Sequence, residues 1–292
     1  MKILLPILLC LLLGGARAEI VVKDDRGVAV RLAAPAQRIV SLAPHITEVL
    51  FAAGAGSRIV GTVEYSDYPE AAQKIRRVGG YSRLDLEAIA ALKPDLVIGW
   101  QSGNAATHMD KLEKLGLTTF VSQPDRIEDI AATLESYGRL AGTGAVAQPA
   151  AQAFRERLAA LRARYAKREP LRVFYPIWRK PWMSVNRETY IHDVLRMAGA
   201  ENVCADFDCR YPEIPLEWLL SRKVEAVLLP SEPWAWTASD RSALESERTL
   251  GSARIGLCDG RDFCWHGVRA ADGLGNATRI VSALQRSRPP GD

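Results

Sequence analysis

The chain has 292 residues, with 38 Lys or Arg against 34 Asp or Glu, so its formal net charge is +4. This near-balance excludes a strongly basic surface over the whole chain, and we expect no nucleic-acid partner. Hydrophobic residues make up 48% and charged residues 25% of the sequence, as in an ordinary globular protein. At roughly 100–200 residues per domain, the length predicts two domains.

The first 18 residues are typical of an export signal. Lys2 precedes an apolar run from Ile3 to Leu13, and small residues in an A-x-A arrangement end at Ala18. The apolar run is shorter than the roughly 20 residues that span a bilayer. We therefore expect an exported protein with its signal peptide cleaved after Ala18; the alternative is a retained membrane anchor.

The chain contains an internal repeat. Residues 46–55 read ITEVLFAAGA and residues 191–200 read IHDVLRMAGA, with apolar residues at helical spacing and a glycine suited to a helix end. A helix-then-strand pattern at residues 86–100 recurs at residues 216–230. A strand opens each unit, and this alternation predicts an α/β fold with two Rossmann-like lobes, each built on a parallel sheet.

The segment between the two units predicts a long helix. Residues 145–167 are rich in Ala, Arg, Leu, Gln and Glu, and Pro149 stands near the start, where a helix tolerates it. We expect an N-terminal lobe over 19–143, one interdomain helix over 144–169 and a C-terminal lobe over 170–292. A ligand cleft would then lie between the lobes.

Four cysteines remain once Cys10 leaves with the signal. They are Cys204, Cys209, Cys258 and Cys264. An even number in an exported protein favours disulfides, and four cysteines allow three connectivities. We predict the close pairs, Cys204–Cys209 and Cys258–Cys264; a tetrahedral zinc site is the alternative.

Aromatic residues cluster where the predicted strands end, which is where open α/β sheets bind ligands. These residues are Tyr65, Tyr68, Tyr81, Trp100, Trp178, Trp182, Tyr211, Trp234, Trp236, Phe263 and Trp265. Such rings suit a large, flat, partly apolar ligand, although about one in three is expected in the core, Trp218 first among the tryptophans. His45 and His266 also follow predicted strands and face the cleft.

The sequence contains no motif of a common catalytic site. It has no G-x-S-x-G elbow, no phosphate-binding glycine loop and no H-E-x-x-H motif, and its four histidines are far apart. We expect a binding protein rather than an enzyme, with no catalytic residue, no resident metal and no cofactor. A periplasmic enzyme such as a metal chelatase is the alternative from a different class.

Three stretches carry a resemblance to a known family. They are the run RIVSLAPHITE at 38–48, the sequence YSDYP at 65–69, and LEAIAALKPDLVI at 86–98. The chain resembles the helical-backbone class of periplasmic binding proteins of ABC importers, which carry cobalamin, iron siderophores or haem. Within that class it is most similar to cobalamin-binding members, on residues 38–120 above all.

The resemblance implies that the chain captures cobalamin in the periplasm, as a transported ligand, and passes it to an ABC transporter permease at the inner membrane. It implies ligand contacts by Tyr65, Tyr81, Trp100 and Tyr211, and by Asp262, Phe263, Trp265 and His266 in the last loop. Tyr81, Tyr211 and the Trp265-His266 pair differ from the cobalamin pattern. A haem or iron-siderophore ligand is therefore the alternative.

Glu87 and Glu217 match two carboxylates by which members of the class dock on their transporter. The repeat gives them equivalent places, so each lobe of a monomer would present one carboxylate to a two-fold symmetric partner. A favourable acid at a helix N-terminus is the alternative explanation.

Overall fold

The computed structural model describes residues 19–80, 83–165, 169–231, 236–247, 250–260 and 266–287. It begins with an antiparallel hairpin, β1 (Ile20–Lys23) and β2 (Ala29–Leu32). None of the described helices is long and apolar enough to cross a membrane. The predicted signal peptide, residues 1–18, lies outside the described residues.

The first lobe contains a four-stranded parallel sheet in the order β4-β3-β5-β6. Its elements are β3 (Ile39–Ser41), α1 (Pro44–Ala52), β4 (Ile59–Thr62), α2 (Leu86–Ala91), β5 (Leu96–Trp100), α3 (Ala106–Lys114), β6 (Thr119–Ser122) and α4 (Asp129–Ala141), with short 3₁₀ turns at Gly56–Arg58 and Glu70–Lys74. The central strands are almost continuously apolar because helices cover both faces of the sheet.

A single long helix, α5 (Gly144–Tyr165), follows the first lobe. It confirms the long helix expected from the Ala-rich composition, and Pro149 lies in its second turn. Ala147, Ala151, Phe154 and Leu158 are buried and form a stripe along one face of this helix.

The second lobe repeats the first. Its elements are β7 (Leu171–Phe174), β8 (Trp178–Arg179), β9 (Trp182–Met183), α6 (Tyr190–Met197), β10 (Ala200–Asn202), α7 (Leu216–Leu220), β11 (Ala226–Pro230), α8 (Ala238–Glu247), β12 (Arg254–Cys258) and α9 (Ala270–Arg286). Its parallel sheet has the order β10-β7-β11-β12, equivalent to that of the first lobe. Strands β8 and β9 add a small antiparallel hairpin.

Backbone detail supports the same duplication. Lys93 and Lys223 end equivalent helices, and both adopt the left-handed conformation, with φ of 47° and 50°. Non-glycine residues seldom adopt this conformation, so its recurrence at an offset of 130 residues is not a coincidence of composition. The predicted repeat and the predicted α/β fold with two parallel sheets are therefore confirmed.

One apolar core continues through both lobes. A single cluster joins Val49 of α1 and Leu134 of α4 with Val194 of α6 and Leu274 of α9, and it includes Leu158 from the stripe on α5. The lobes therefore share packed side chains as well as a connecting helix.

The predicted disulfide between Cys204 and Cys209 is not present in the structure. The Cys204 thiol is buried in the core of the second lobe, where burial raises its pKa to about 11, whereas Cys209 lies on an exposed turn. Sequence proximity did not bring the two sulfurs together because the side chains face different environments. The second predicted pair involves Cys264, which lies outside the described residues.

Candidate functional site

A cavity of about 530 Å³ lies between the two lobes, within the size range of small-molecule sites. Rings from both lobes line it: His45, Tyr65 and Trp100 from the first, and Trp178, Tyr190, Tyr211 and His266 from the second. Ile177 and Met183 add apolar surface, and Arg210 adds a guanidinium group.

The parallel sheets explain why these side chains converge. His45 lies in the first turn of α1, just after β3, and Trp100 is the last residue of β5. Tyr190 is the first residue of α6, the helix equivalent to α1. Carboxyl ends of neighbouring parallel strands meet at one edge of a sheet, so the cavity lies where a ligand site is expected.

Four rings form a compact cluster in the cavity wall. The His266 ring centroid lies 4.4 Å from that of Tyr190, 5.0 Å from that of His45 and 5.6 Å from that of Trp100. Trp100 also meets His45 edge to face, with centroids 5.2 Å apart. Two of these four contacts, those of His266 with His45 and with Trp100, cross from one lobe to the other, and together the four contacts hold the rings in fixed orientations.

Both histidines in this cluster are held neutral by their surroundings. Burial, with a smaller contribution from the positive charge of Arg210, lowers the pKa of His266 to about 3. Burial, followed by the proximity of His266, lowers the pKa of His45 well below its usual value. At neutral pH each imidazole therefore carries a lone pair and no charge.

Two of the side chains that line the cavity carry a buried polar atom without a hydrogen-bond partner in the part of the chain that the structure describes. Among the described residues, neither His45 Nε2 nor Trp100 Nε1 has a hydrogen-bond partner, although both atoms are buried. Unsatisfied buried polar atoms are uncommon in native proteins, and they are often found at functional sites. The two atoms therefore single out this wall of the cavity as a candidate functional site.

The guanidinium of Arg210 is fixed by the opposite lobe. Its Nη2 lies 2.5 Å from Oδ1 of Asp125, a residue that follows β6 in the first lobe. The pair crosses the interface beside the cavity, so the cavity wall depends on the arrangement of both lobes.

Four of the eight ligand-binding residues predicted from the sequence line the cavity: Tyr65, Trp100, Tyr211 and His266. Tyr65 and Tyr211 are partly exposed, as a ligand contact requires. The other four, Tyr81, Asp262, Phe263 and Trp265, lie outside the described residues.

Tyr190 and Arg210 also line the cavity, and the sequence-based prediction did not include them. The repeat contained the signal for Tyr190, because the offset of 145 residues that relates the two helices also relates His45 to Tyr190. The position of Arg210 carries no such signal, since its orientation depends on Asp125 in the other lobe.

Several aromatic residues near strand ends belong to the core of the second lobe instead. Trp182 stacks on Trp236 with ring centroids 5.6 Å apart, and both pack with Phe174. Trp218 was expected in the core; it lies at the edge of this core and packs against Phe207. In the described part of the chain, no group of three or more His, Cys, Asp or Glu side chains is placed to hold a metal ion.

Comparison with known proteins gives consistent matches. The family model of periplasmic binding proteins matches residues 39–247. The vitamin B12-binding protein of Vibrio cholerae is 38% identical over 193 residues, 66% of this chain and 70% of the relative. The vitamin B12-binding protein of Yersinia pestis is 35% identical over 194 residues, 66% of this chain and 69% of the relative.

The solved structures agree. The crystal structure of the periplasmic vitamin B12-binding protein BtuF of Vibrio cholerae has a TM-score of 0.80 and 30% identity, covering 87% of this chain and 99% of that one. The periplasmic haem-binding protein BhuT shares the fold, with a TM-score of 0.76 and 21% identity over 86% of this chain and 99% of that one.

Proposed function

The chain belongs to the periplasmic binding protein family, and we propose that it captures a cobalamin between its lobes and delivers it to an ABC transporter. It acts in the periplasm after removal of residues 1–18, as a monomer and without chemical change to its ligand. The named relatives are binding proteins rather than enzymes, which supports this assignment.

The observation that carries the proposal is the set of aromatic rings facing the cavity from both lobes. Tyr65 and Trp100 line one side and Trp178 and Tyr211 the other. A corrin ring is large and flat, with apolar methyl groups and an edge of amide side chains. Aromatic faces bury such a ring, while Arg210 and other polar groups bind its amides.

The similarity to vitamin B12-binding proteins supports the same ligand over its rivals. The vitamin B12-binding proteins of Vibrio cholerae and Yersinia pestis are 38% and 35% identical to this chain across about two thirds of its length. A siderophore would favour several arginines toward its anionic chelating groups. Among the described residues that line the cavity, Arg210 is the single arginine, which is fewer than a siderophore site would favour.

Calorimetric titration of the mature protein with cyanocobalamin tests the proposal. We expect one site with a dissociation constant in the micromolar range or tighter, which is roughly −8 kcal/mol or better. Trp100→Ala and Tyr211→Ala should each weaken binding. Leu115→Ala, which changes an exposed apolar residue outside the cavity, is the matched control. Absence of binding by the folded wild-type protein would refute the proposal.

Haem is the second candidate, and the neutral imidazoles at the cavity favour it. A neutral imidazole, such as that of His45 or His266, is a suitable axial ligand for haem iron because its ring nitrogen carries a lone pair. Absorption spectra distinguish the two ligands: a Soret band shifted on binding, together with no cyanocobalamin binding, would assign haem.

Delivery is proposed to use Glu87 and Glu217. Both carboxylates are exposed in the first turns of the equivalent helices α2 and α7, and neither forms an ion pair with another described residue. A pair of unengaged carboxylates, one on each lobe, suits a two-fold symmetric permease that offers a cationic group to each.

A further inference from the structure

Glu48 of the first lobe holds a segment of the second lobe. It lies in α1 and is only 2% exposed. Its Oε1 accepts the backbone N–H of Arg269 at 2.9 Å, and its Oε2 accepts the Arg269 Nε–H at 3.1 Å. The contact is close because residue 267 is glycine: a Cβ there would lie 2.5 Å from Glu48 Oε1.

Asp193 of the second lobe makes the reciprocal contact. It lies in α6, it is 5% exposed, and its Oδ2 accepts the backbone N–H of Ile127 at 3.1 Å. Its other oxygen pairs with Arg196 at 2.7 Å. Glu48 and Asp193 are equivalent residues, separated by the same 145 residues that relate α1 to α6.

The two donors lie at the starts of corresponding helices, although their positions differ by one residue. Arg269 is the N-cap residue of α9, and Ile127 directly precedes Glu128, the N-cap residue of α4. Amide groups at a helix N-terminus have no partner within the helix, and the helix dipole favours a negative charge there. Each lobe therefore directs one buried carboxylate to the start of the last helix of the other lobe.

Both contacts lie within three residues, along the chain, of a residue that lines the cavity or holds a lining residue. His266 lines the cavity three residues before Arg269. On the other side, Asp125 lies two residues before Ile127 and pairs with Arg210, which also lines the cavity. A change at either carboxylate would move a cavity residue without itself touching a ligand.

We propose that Glu48 and Asp193 are positioning residues that form a reciprocal interlobe lock, fixing the angle between the lobes and so the width of the ligand cavity. The role in binding rests on the proposed function, whereas the mechanical role does not. Because the lock is buried and reciprocal, it holds the lobes in one arrangement before a ligand binds, which lowers the cost of ordering them on binding.

The test compares the wild-type protein with a double variant that carries both Glu48→Gln and Asp193→Asn. Nitroxide labels on keto-bearing unnatural residues at the exposed positions Gln73 and Ser221 report the interlobe distance without using cysteines. We expect a narrow distance distribution for the wild-type apoprotein and at least a twofold broader one for the double variant. Cyanocobalamin affinity should fall about tenfold, mainly through faster dissociation.

Asp24→Asn is the matched control. Asp24 is also buried, and it accepts backbone N–H groups and pairs with Arg26, but all these partners lie within the first lobe. Its replacement should lower the melting temperature and leave the interlobe distance distribution unchanged. If the double variant unfolds, the single variants Glu48→Gln and Asp193→Asn decide, each with an intermediate broadening expected.

An unchanged distance distribution in folded variants would overturn the lock. A wild-type protein that binds no cobalamin would refute the proposed function alone, since the distance measurement on the apoprotein still decides the lock. If the distribution broadens in the Asp24→Asn control as well, the broadening reflects general destabilisation and the positioning role is refuted.

Discussion

Two buried, neutral histidines line a cavity between two lobes, and this arrangement couples stability to pH. Consider a histidine whose pKa is lower in the folded than in the unfolded protein. Its contribution to the free energy of unfolding is fully present when the pH is above the pKa of the unfolded state. That stability is lost as the pH falls toward the folded value. For His266 the range runs from the ordinary value of 6.5 down to about 3.

We therefore expect acid to destabilise this protein through the histidine pair. By linkage, His266 alone should cost roughly 2 kcal/mol of unfolding free energy at pH 5. His45 adds to this in the same direction. Urea unfolding between pH 7.5 and 4.5 should show a shallower acid loss in His266→Asn than in the wild-type protein.

His108→Asn is the control for this measurement, because His108 lies on α3 away from the cavity. It should keep the wild-type dependence on pH. An identical acid loss in the wild-type protein and in His266→Asn would show that His266 is not buried in neutral form.

Gly103 fixes the ring of Trp100. A Cβ at position 103 would lie 1.8 Å from Cε3 of that ring, so Gly103→Ala must displace the indole from the cavity wall. Loss of a buried aromatic anchor typically costs at least about 2 kcal/mol, and we expect cobalamin affinity to fall roughly 30-fold. In Gly144→Ala the added methyl meets no atom within 4 Å, and affinity should not change. Equal affinity in both variants would mean that Trp100 does not contact the ligand.

The sequence was informative where residue type alone decides position. Trp100 ends one strand and Tyr65 follows another, and both strand ends could be read from the apolar runs. It was uninformative where position depends on a partner far along the chain, as for Arg210 with Asp125. The Cys204–Cys209 prediction failed for a related reason, because parity and proximity say nothing about which side chain is buried.

At the level of elements, helix α5 packs on α4 through a close approach at Gly138 and Ala147. A Cβ at position 138 would lie 2.3 Å from the Ala147 Cβ. The composition of residues 145–167 predicted this helix, but not that it crosses α4 at a glycine. The contact requires knowledge of which faces of the two helices meet.

Gly138→Ala separates helix propensity from packing. Alanine is the better helix former by about 1 kcal/mol, so propensity alone predicts stabilisation. Overpacking at the crossing predicts a net loss of about 1–3 kcal/mol of unfolding free energy. We expect this net loss in the free energy of unfolding, measured by urea unfolding. The control is Gly144→Ala at the start of α5, which is the same Gly-to-Ala change. A more stable Gly138→Ala variant would show that the helices separate at little cost.

At the scale of the whole molecule, the repeat places equivalent residues of its two copies in equivalent contacts. The sequence predicted the duplication and the α/β fold, because strand and helix patterns recur in the same order. It did not predict that the acids at the third place of the repeat face across the lobe interface. Glu48 and Asp193 look like ordinary helix residues until both lobes are assembled.

The same symmetry governs the proposed docking acids. Glu87→Ala together with Glu217→Ala should abolish binding to the transporter and cobalamin uptake, while folding and ligand affinity stay at wild-type levels. Exposed ion pairs contribute only about 0–1 kcal/mol each, but charge pairs desolvated in an interface cost about 2–5 kcal/mol to break. Reversal of both to Arg should be more severe than Ala, since like charges would then face each other.

Pull-down of the detergent-solubilised transporter, run in parallel with a ligand titration, separates docking from capture. The control is Asp110→Ala with Glu245→Ala, which removes exposed acids from the equivalent helices α3 and α8. These changes alter the net charge by the same amount, so a general electrostatic effect would weaken both double variants alike. Loss confined to the Glu87/Glu217 variant locates the docking surface at the starts of α2 and α7. Normal transporter binding by that variant, or a loss of ligand affinity instead, would return both acids to the role of favourable helix N-terminal residues.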